Sequence, residues 1–478
     1  MLVRMPPIGQ MRRYHDFGLM RCGETWARVR QRWPCSYLRT PRIMTHEGQA
    51  LRVLASAVRC SVSALSLSLL ALVNGSMAFA ADYSLTGFGT VGYAVSDQKA
   101  AYLRYIDKSG TLRADSLVGL QGEAQFDPQW GATVQVVASA PRYKEDGLAT
   151  QVRWAFASYR PNNEWLFRVG RLRPPVLIHT QNAEVGMTYD QARLPVEVYS
   201  LSPVYDLDGA AFTRTWLLAD SEIALDGYFG KSRIKYRTPF QRVPNQTFFP
   251  DKYFPEKVDF MGIVLSKASA SMLLRGGVHR AVLKPDQQRQ FVDAFNPTPF
   301  PAPFPFGGTL YTPGVVIDSI GVTVLTLGVD LELGRWRVSG EYGQRFIEDT
   351  KIGVGSKSAH LTLARKVGQW TPYFTYARLL SESATRKIHQ DLDITPVPIG
   401  AQGPPFFVPA AYHRILADNV FVFDQYSAAL GTSYNLSPAS KLKFEWMRTK
   451  IGQASALVDG DVHHKSFNVL SMSYNFAF

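Results

Sequence analysis

From Tyr83 to Phe478 the hydropathy of this chain alternates with a period of two, and that period limits what it can fold into. In the last segment Leu470, Met472, Tyr474, Phe476 and Phe478 fall on one face with Asn468. Val469, Ser471, Ser473, Asn475 and Ala477 fall on the other. Trp336, Val338, Gly340 and Tyr342 alternate in the same way with Arg337, Ser339, Glu341 and Gly343. A period of two is that of a β-strand, whose successive side chains point to opposite faces. An apolar face opposite a polar one suits a sheet with lipid on one side and water on the other.

The pattern predicts sixteen strands, near 83–95, 115–127, 130–140, 149–160, 164–171, 209–217, 221–230, 258–267, 270–281, 318–333, 335–347, 356–367, 369–380, 424–434, 441–450 and 466–478. Their connections alternate in length. Tight links such as Asp127-Pro128-Gln129, Pro161-Asn162-Asn163 and Leu436-Ser437-Pro438 follow even-numbered strands. Long ones, including 172–208, 231–257, 282–317 and 381–423, follow odd-numbered strands. The expected fold is therefore all-β: a transmembrane antiparallel β-barrel of about 16 strands, with short periplasmic turns and long external loops. An even strand count closes the sheet antiparallel and leaves no unpaired edge, which a bilayer requires. Trp130, Trp165, Trp216, Trp336 and Trp370 each lie within a few residues of a short turn, as a girdle at one lipid interface would.

The first 80 residues read differently. Residues 1–43 are Arg-rich and irregular, and are expected to be a disordered or mis-called extension. Residues 44–80 hold the apolar run Leu65–Val73 and the small-x-small site Ala78-Phe79-Ala80, the pattern of a signal peptide. Residues 81–478 would then be the barrel. The three cysteines, Cys22, Cys35 and Cys60, all precede this boundary, so the barrel has no thiol ligand for a metal. Much of the chain's net charge of +13 also sits in the leader. Beyond residue 81 there are 41 basic against 36 acidic side chains, a net of +5. A basic patch for nucleic acid is not indicated.

Enzyme chemistry has little support. His279, His360, His389, His413, His463 and His464 are scattered, and no constellation pairs them with a nucleophile. No cofactor and no metal is expected; His463-His464 beside Asp459 and Asp461 reads as surface loop. Strand parity instead turns Arg153, Arg168, Arg275, Arg337 and Lys443 toward the lumen as a basic lining. Two Pro/Phe-rich stretches, 295–308 and 404–409, fall in long external loops, where they stiffen the chain or fold over the mouth.

Several stretches resemble the general bacterial porin family of Gram-negative outer membranes. They are Gly119-Leu120-Gln121 running into Asp127-Pro128-Gln129-Trp130, then Val169-Gly170-Arg171-Leu172, the segment Val185–Tyr199, and the terminal Ser473–Phe478. The similarity of pattern spans Ala81 to Phe478. It implies a homotrimer in the outer membrane, among lipid and lipopolysaccharide, with a third loop folded into the lumen as a constriction. On that reading Arg171, Arg173, Glu184, Asp190, Arg193 and Glu197 of 172–208 form the constriction. Tyr474, Phe476 and Phe478 would be the signal for the barrel-assembly machinery. The third loop lacks the family's acidic-aromatic-glycine turn, and no basic ladder is aligned on strands two to four, so selectivity does not carry over.

The function expected is a water-filled channel for passive diffusion of small hydrophilic solutes and ions. The alternatives are a substrate-selective channel for an organic acid or anion, and a non-conducting adhesin or structural barrel. Cleavage after Ala80 gives a mature chain beginning Ala81-Asp82. N-terminal sequencing of the outer-membrane form should return that start; a retained Arg-rich terminus would contradict it.

Overall fold

A bilayer offers no water to unpaired backbone groups, so a sheet that crosses it must close on itself. The computed structural model describes residues 81–202, 204–237, 253–286, 290–299, 309–394, 416–418, 420–460 and 462–478, and it shows that closure. The expected leader, all three cysteines, His413, Asp461 and residues 300–308 and 404–409 lie outside the described residues.

The sixteen barrel strands are β1 (Asp82–Ser96), β2 (Leu117–Gln125), β3 (Trp130–Ser139), β4 (Ala149–Tyr159), β5 (Trp165–Leu172), β6 (Leu207–Leu217), β7 (Ser221–Arg237), β8 (Tyr253–Ser269), β9 (Met272–Pro285), β10 (Ile320–Leu333), β11 (Trp336–Ile347), β12 (Ser356–Arg365), β13 (Trp370–Ser381), β14 (Phe423–Ser437), β15 (Ser440–Ser455) and β16 (Ser466–Ala477). Each pairs antiparallel with its sequence neighbours. β1 and β16 close the ring in a register running from Phe88 opposite Ala477 to Ser96 opposite Val469. Every expected strand is present. The differences are at the ends: β7, β8 and β15 run several residues beyond the expected limits. In β7 the alternation continues, with Ile234 inward and Lys231, Arg233 and Lys235 outward. Charges on the outward face mark a hairpin that has left the lipid rather than a strand that has ended.

The tight turns follow from their residues. Asp127 Oδ1 accepts the N–H groups of Gln129 and Trp130 at 2.7 and 2.8 Å, and Asn162 Oδ1 does the same for Glu164 and Trp165. Such side-chain turns bring two strands together within three or four residues. Gly334 and Gly368 hold positive φ, +64° and +62°, in the turns after β10 and β12.

Outward side chains form the apolar belt. Met261, Ile263 and Leu265 on β8, Leu325 and Leu327 on β10, and Leu470, Met472 and Tyr474 on β16 are all exposed. At the short-turn rim Trp130 lies 4.5 Å from Tyr159 and Trp370 4.5 Å from Tyr434, each ring resting on the neighbouring strand. Phe476 and Phe478 lie on the same outward face. Space for their rings is left by Gly89 and Gly87 of β1, where a Cβ would stand 2.5 and 2.2 Å from a ring carbon.

External segments fold back over the barrel. Tyr102 and Ile106, from the loop after β1, are fully buried against Ile451 and Phe467 on the inward faces of β15 and β16. Residues Phe295–Pro299 of the first Pro/Phe-rich stretch pair antiparallel with Thr309–Pro313.

The closing strand docks through the Gly87–Phe478 and Gly89–Phe476 contacts and through paired backbone bonds between Gly87 and Phe478. Deleting Phe478 should lower the amount of heat-modifiable, folded barrel in outer-membrane fractions severalfold. Undiminished levels would place the closure and assembly determinant elsewhere.

Candidate functional site

The third external loop, residues 173–206, is the longest described segment without strand structure. It holds a 3-10 turn at Gly186–Thr188 and a single helical turn, α1, at Val196–Tyr199. Turns within the loop pair some of its backbone groups, and the rest must find partners on the barrel wall or in water. The wall supplies them on almost every side. Glu341 of β11 accepts the Ile178 N–H at 2.6 Å, the Tyr199 hydroxyl at 2.7 Å and His360 Nε2 at 3.1 Å. Arg345 of β11 donates to the carbonyl of Leu201, and Arg275 of β9 to that of Leu177, each at 3.2 Å. The Tyr373 hydroxyl of β13 accepts the Ala192 N–H at 3.0 Å, and Lys443 of β15 donates to the Gln191 carbonyl at 2.8 Å. Gly186 lies against Asn475 of β16 and Thr90 of β1, where a Cβ would stand 2.0 Å from Asn475 Oδ1. The loop therefore crosses the interior from β5 to the opposite wall.

The wall has two characters. On β7–β10 apolar inward residues form a continuous cluster, with polar Asp226, Glu256, Arg275, His279 and Thr326 set among them. Tyr228, Val258, Phe260, Leu283, Val322 and Val324 form one cluster with Val176, Leu177, Val198, Leu201 and Val204 of the loop. Burying each such side chain contributes about 1.5–3 kcal/mol. This arc departs from the uniformly polar lumen that the alternation suggested. From β11 round to β4 the inward residues are mostly polar, and many are buried by the loop: Glu341, Thr362, Thr375, Ser433, Lys443, Asn475, Gln135 and Arg153.

The expected constriction residues divide accordingly. Glu184 stands among three guanidinium groups. Its Oε1 is 3.2 Å from Arg142 Nη2 and 2.8 Å from Arg153 Nη2, and its Oε2 is 2.7 Å from Arg173 Nη2. Burial alone would raise this carboxyl, but Arg173, Arg142 and Arg153 outweigh it and hold the pKa at about 2. Asp190 accepts from Ser433 at 2.8 Å and Lys441 at 3.0 Å, with Arg337 at 4.0 Å. Burial opposes its ionisation, and Lys441 with Ser433 still holds it below the usual carboxylate value. Arg193 reaches the loop after β1 and pairs with Asp115, with Nε 2.9 Å from Oδ1. Among the described residues Glu197 meets no cation at hydrogen-bond distance. It accepts from Gln425 at 2.9 Å, and its burial pushes its carboxyl upward.

Arg171 stands apart from the expected set. It lies on the outward face and pairs with Asp208 at 2.8 Å, beside Val169 and Phe229. Its parity matches that of exposed Phe167 and Val169, opposite to inward Arg168. Arg173 lies beyond the end of β5 and turns in. Of the residues expected to line the wall, Arg168 contacts Thr213 at 2.9 Å and Asp226 at 3.8 Å, and Arg337 contacts Asp330 at 2.8 Å. Lys443 also lies 3.8 Å over the Tyr189 ring. Arg153 is inward at a β-bulge, where the register of β3 with β4 shifts between Gln135 and Val136 and Trp154 also faces in.

Sequence reading missed Asp115, Arg142, Glu341, Arg345, Tyr373 and Gln425 as partners of the loop. Glu341 and Arg345 share the parity of Arg337, which was the available signal. Arg142 and Asp115 sit in other external loops, for which parity gives no guidance.

A closed sixteen-stranded antiparallel barrel, an apolar outer belt and a loop docked across the interior define a porin-like barrel. No known family and no characterised protein matches the chain by sequence. Among solved structures it is similar to OmpT of Vibrio cholerae, in its in-vitro folded trimer form, at 10% identity and a TM-score of 0.48, over 84% of this chain and 100% of that one. An anion-selective porin from Comamonas acidovorans aligns at 12% identity and a TM-score of 0.44, over 83% and 100%. OprB of Pseudomonas putida aligns at 9% identity and 0.47, over 83% and 94%.

Glu341 holds two separated points of the loop, so its removal tests the docking. Glu341→Ala should cost about 1–3 kcal/mol of loop attachment. Hydrogen exchange of amides 177–201 should then quicken roughly tenfold or more, with the strand amides unchanged. Unaltered exchange in a folded variant would mean that the loop is held by other contacts.

Proposed function

We propose that the protein is an outer-membrane channel for small hydrophilic solutes, in which residues 173–206 set the passage. The observation that carries this reading is the loop's attachment: mainly apolar on β7–β10, where Arg275 adds a hydrogen bond, and mainly hydrogen-bonded on the arc from β11 to β4. The two sides differ in what opening costs. Parting the apolar side returns each buried side chain to water at about 1.5–3 kcal/mol. Parting the polar side exchanges hydrogen bonds with the loop for hydrogen bonds with water, a net cost of only about 0.5–1.5 kcal/mol each. Solutes pass along the polar side, through water admitted between the loop and β11–β4, while the apolar side acts as the hinge. Passage is passive; the barrel has the polar lining that hydrated solutes need and the closed sheet that lipid requires.

Export by the 44–80 leader, assembly through Tyr474, Phe476 and Phe478, and a homotrimeric state complete the proposal. Small outward residues on β2–β4, among them Gly122, Ala124, Ala132 and Ala157, leave a smooth face for a neighbouring copy. Lys231, Arg233 and Lys235, outward on the extension of β7 beyond the lipid belt, suit the phosphates of lipopolysaccharide.

The test is the reversal potential in planar bilayers under a KCl gradient. Wild type should conduct, and the triple variant Glu184→Gln, Asp190→Asn, Glu197→Gln should shift toward anions, because fixed charges in a narrow passage act strongly on passing ions. Among the described residues Glu197 meets no cation at hydrogen-bond distance, and it resists ionisation, so most of the shift should come from the other two. Absence of conductance in folded wild type would contradict the channel reading; conductance with an unmoved potential would remove the loop from the ion path.

A further inference from the structure

Three guanidinium groups from three different segments converge on one carboxylate inside the barrel. Arg142 comes from the loop after β3, Arg153 from the bulge in β4 and Arg173 from the start of the third loop; Glu184 comes from further along that loop. Arg153 and Arg173 are buried. Three guanidinium groups meet one carboxylate directly, with Asp206 acting on Arg153 from further off, and donors are left over. Arg173 Nε and Arg142 Nη1 are buried with no hydrogen-bond partner, and so is the indole Nε1 of Trp154 beside them. A buried donor without a protein partner is costly to leave unpaired, so a cluster that keeps several suits a further acceptor. Arg173 and Trp154 also line a small cavity, about 40 Å³, whose other walls include Phe156, Leu207 and Tyr228. The space beside Arg173 thus has aromatic and apolar walls on one side and Arg168, Gln181 and Asp226 on the other.

We propose that Arg142, Arg153 and Arg173 form a binding site for a small carboxylate solute with an aromatic body, and that Glu184 occupies this site in the solute's place. The proposal rests on the channel reading above and names its solute class. Paired guanidinium forks match the two oxygens of a carboxylate, which Glu184 demonstrates by meeting them with both of its own. The wall of Trp154, Phe156 and Tyr228 offers aromatic faces to a ring, for which the departing Glu184 side chain makes room. Glu184 cannot leave unreplaced, because the buried Arg153 and Arg173 would then lose their directly paired carboxylate. An arriving carboxylate replaces it like for like. Glu184 lies two residues before Gly186, the point at which the loop meets Asn475 and Thr90 on the far wall. Displacing it frees that tip from its tie to β4, at the edge of the polar side. Solute binding and loop release are then linked, each favouring the other.

The test uses the folded outer-membrane protein in detergent, titrated calorimetrically with sodium benzoate, and with acetate, chloride and inorganic phosphate for comparison. Wild type should bind benzoate more tightly than the other three. Glu184→Gln removes the internal competitor and should tighten benzoate binding about tenfold. Arg173→Lys keeps the charge, loses the fork and should weaken it by a similar factor. Phosphate or chloride binding as tightly as benzoate would overturn the carboxylate assignment. Glu184→Gln binding no more tightly than wild type, in a barrel whose heat-modifiable mobility shows it folded, would overturn the role of Glu184. Benzoate should also raise KCl conductance of wild type in bilayers. A protein that binds benzoate but never conducts would defeat the channel reading and leave the site standing.

Discussion

The rest of this structure depends on the demand that lipid makes on the backbone. Every N–H and C=O at membrane depth must be paired within the sheet, and only a closed ring of strands satisfies all of them. Closure joins the first strand to the last, so the register between β1 and β16 fixes the whole circumference. It also explains the glycines at 87 and 89, which make room for the terminal aromatic rings on the lipid face. Once the ring is closed, each strand has an inner face that no neighbouring sheet can cover. What fills that interior decides what the protein does.

Here the filling is chiefly one loop, held in two ways. Its Val and Leu side chains enter an apolar cluster on β7–β10, and its backbone is received by polar side chains on the remaining wall. The first kind of contact is strong and indifferent to solutes. The second trades readily with water and with anything that offers the same hydrogen bonds. On the proposed function, the polar side is the one that opens, and the Glu184 and Asp190 clusters lie there. Glu184 among its three arginines and Asp190 beside Lys441 are ion pairs that also serve as fastenings of the loop.

Much of this was legible in the sequence. All sixteen strands follow from the period of two and from turn residues such as Asp127, Asn162, Gly334 and Gly368. Where charge rather than hydropathy carried the alternation, as at Lys231, Arg233 and Lys235, the strand continued past its expected end. The apolar interior also left a trace: in Val258–Ser266 both faces of the strand are apolar, Val258, Phe260 and Val264 inward against Met261, Ile263 and Leu265 outward. A strand that meets lipid outside and water inside would not read so; one that meets lipid and a packed loop does. Arg171 is a matter of parity, since an inward Arg168 on a regular strand turns Arg171 out. The convergence of Arg142, Arg153 and Arg173 was not legible. It needs a bulge, a loop and a strand end to coincide, and no period in the sequence reports a tertiary coincidence.

The central claim is that residues 173–206 lie across the barrel interior, fastened to the far wall. Asp190 and Ser433 are hydrogen-bonded at 2.8 Å across that span, and the chain has no cysteine after Cys60. The most direct measurement is therefore cross-linking of the variant Asp190→Cys, Ser433→Cys in native outer membranes with a short bifunctional thiosulfonate. The account predicts rapid, near-complete linkage within one chain, and conductance that falls when the link is made and recovers on reduction. Little linkage in a folded barrel, or a linked barrel that conducts as before, would contradict it.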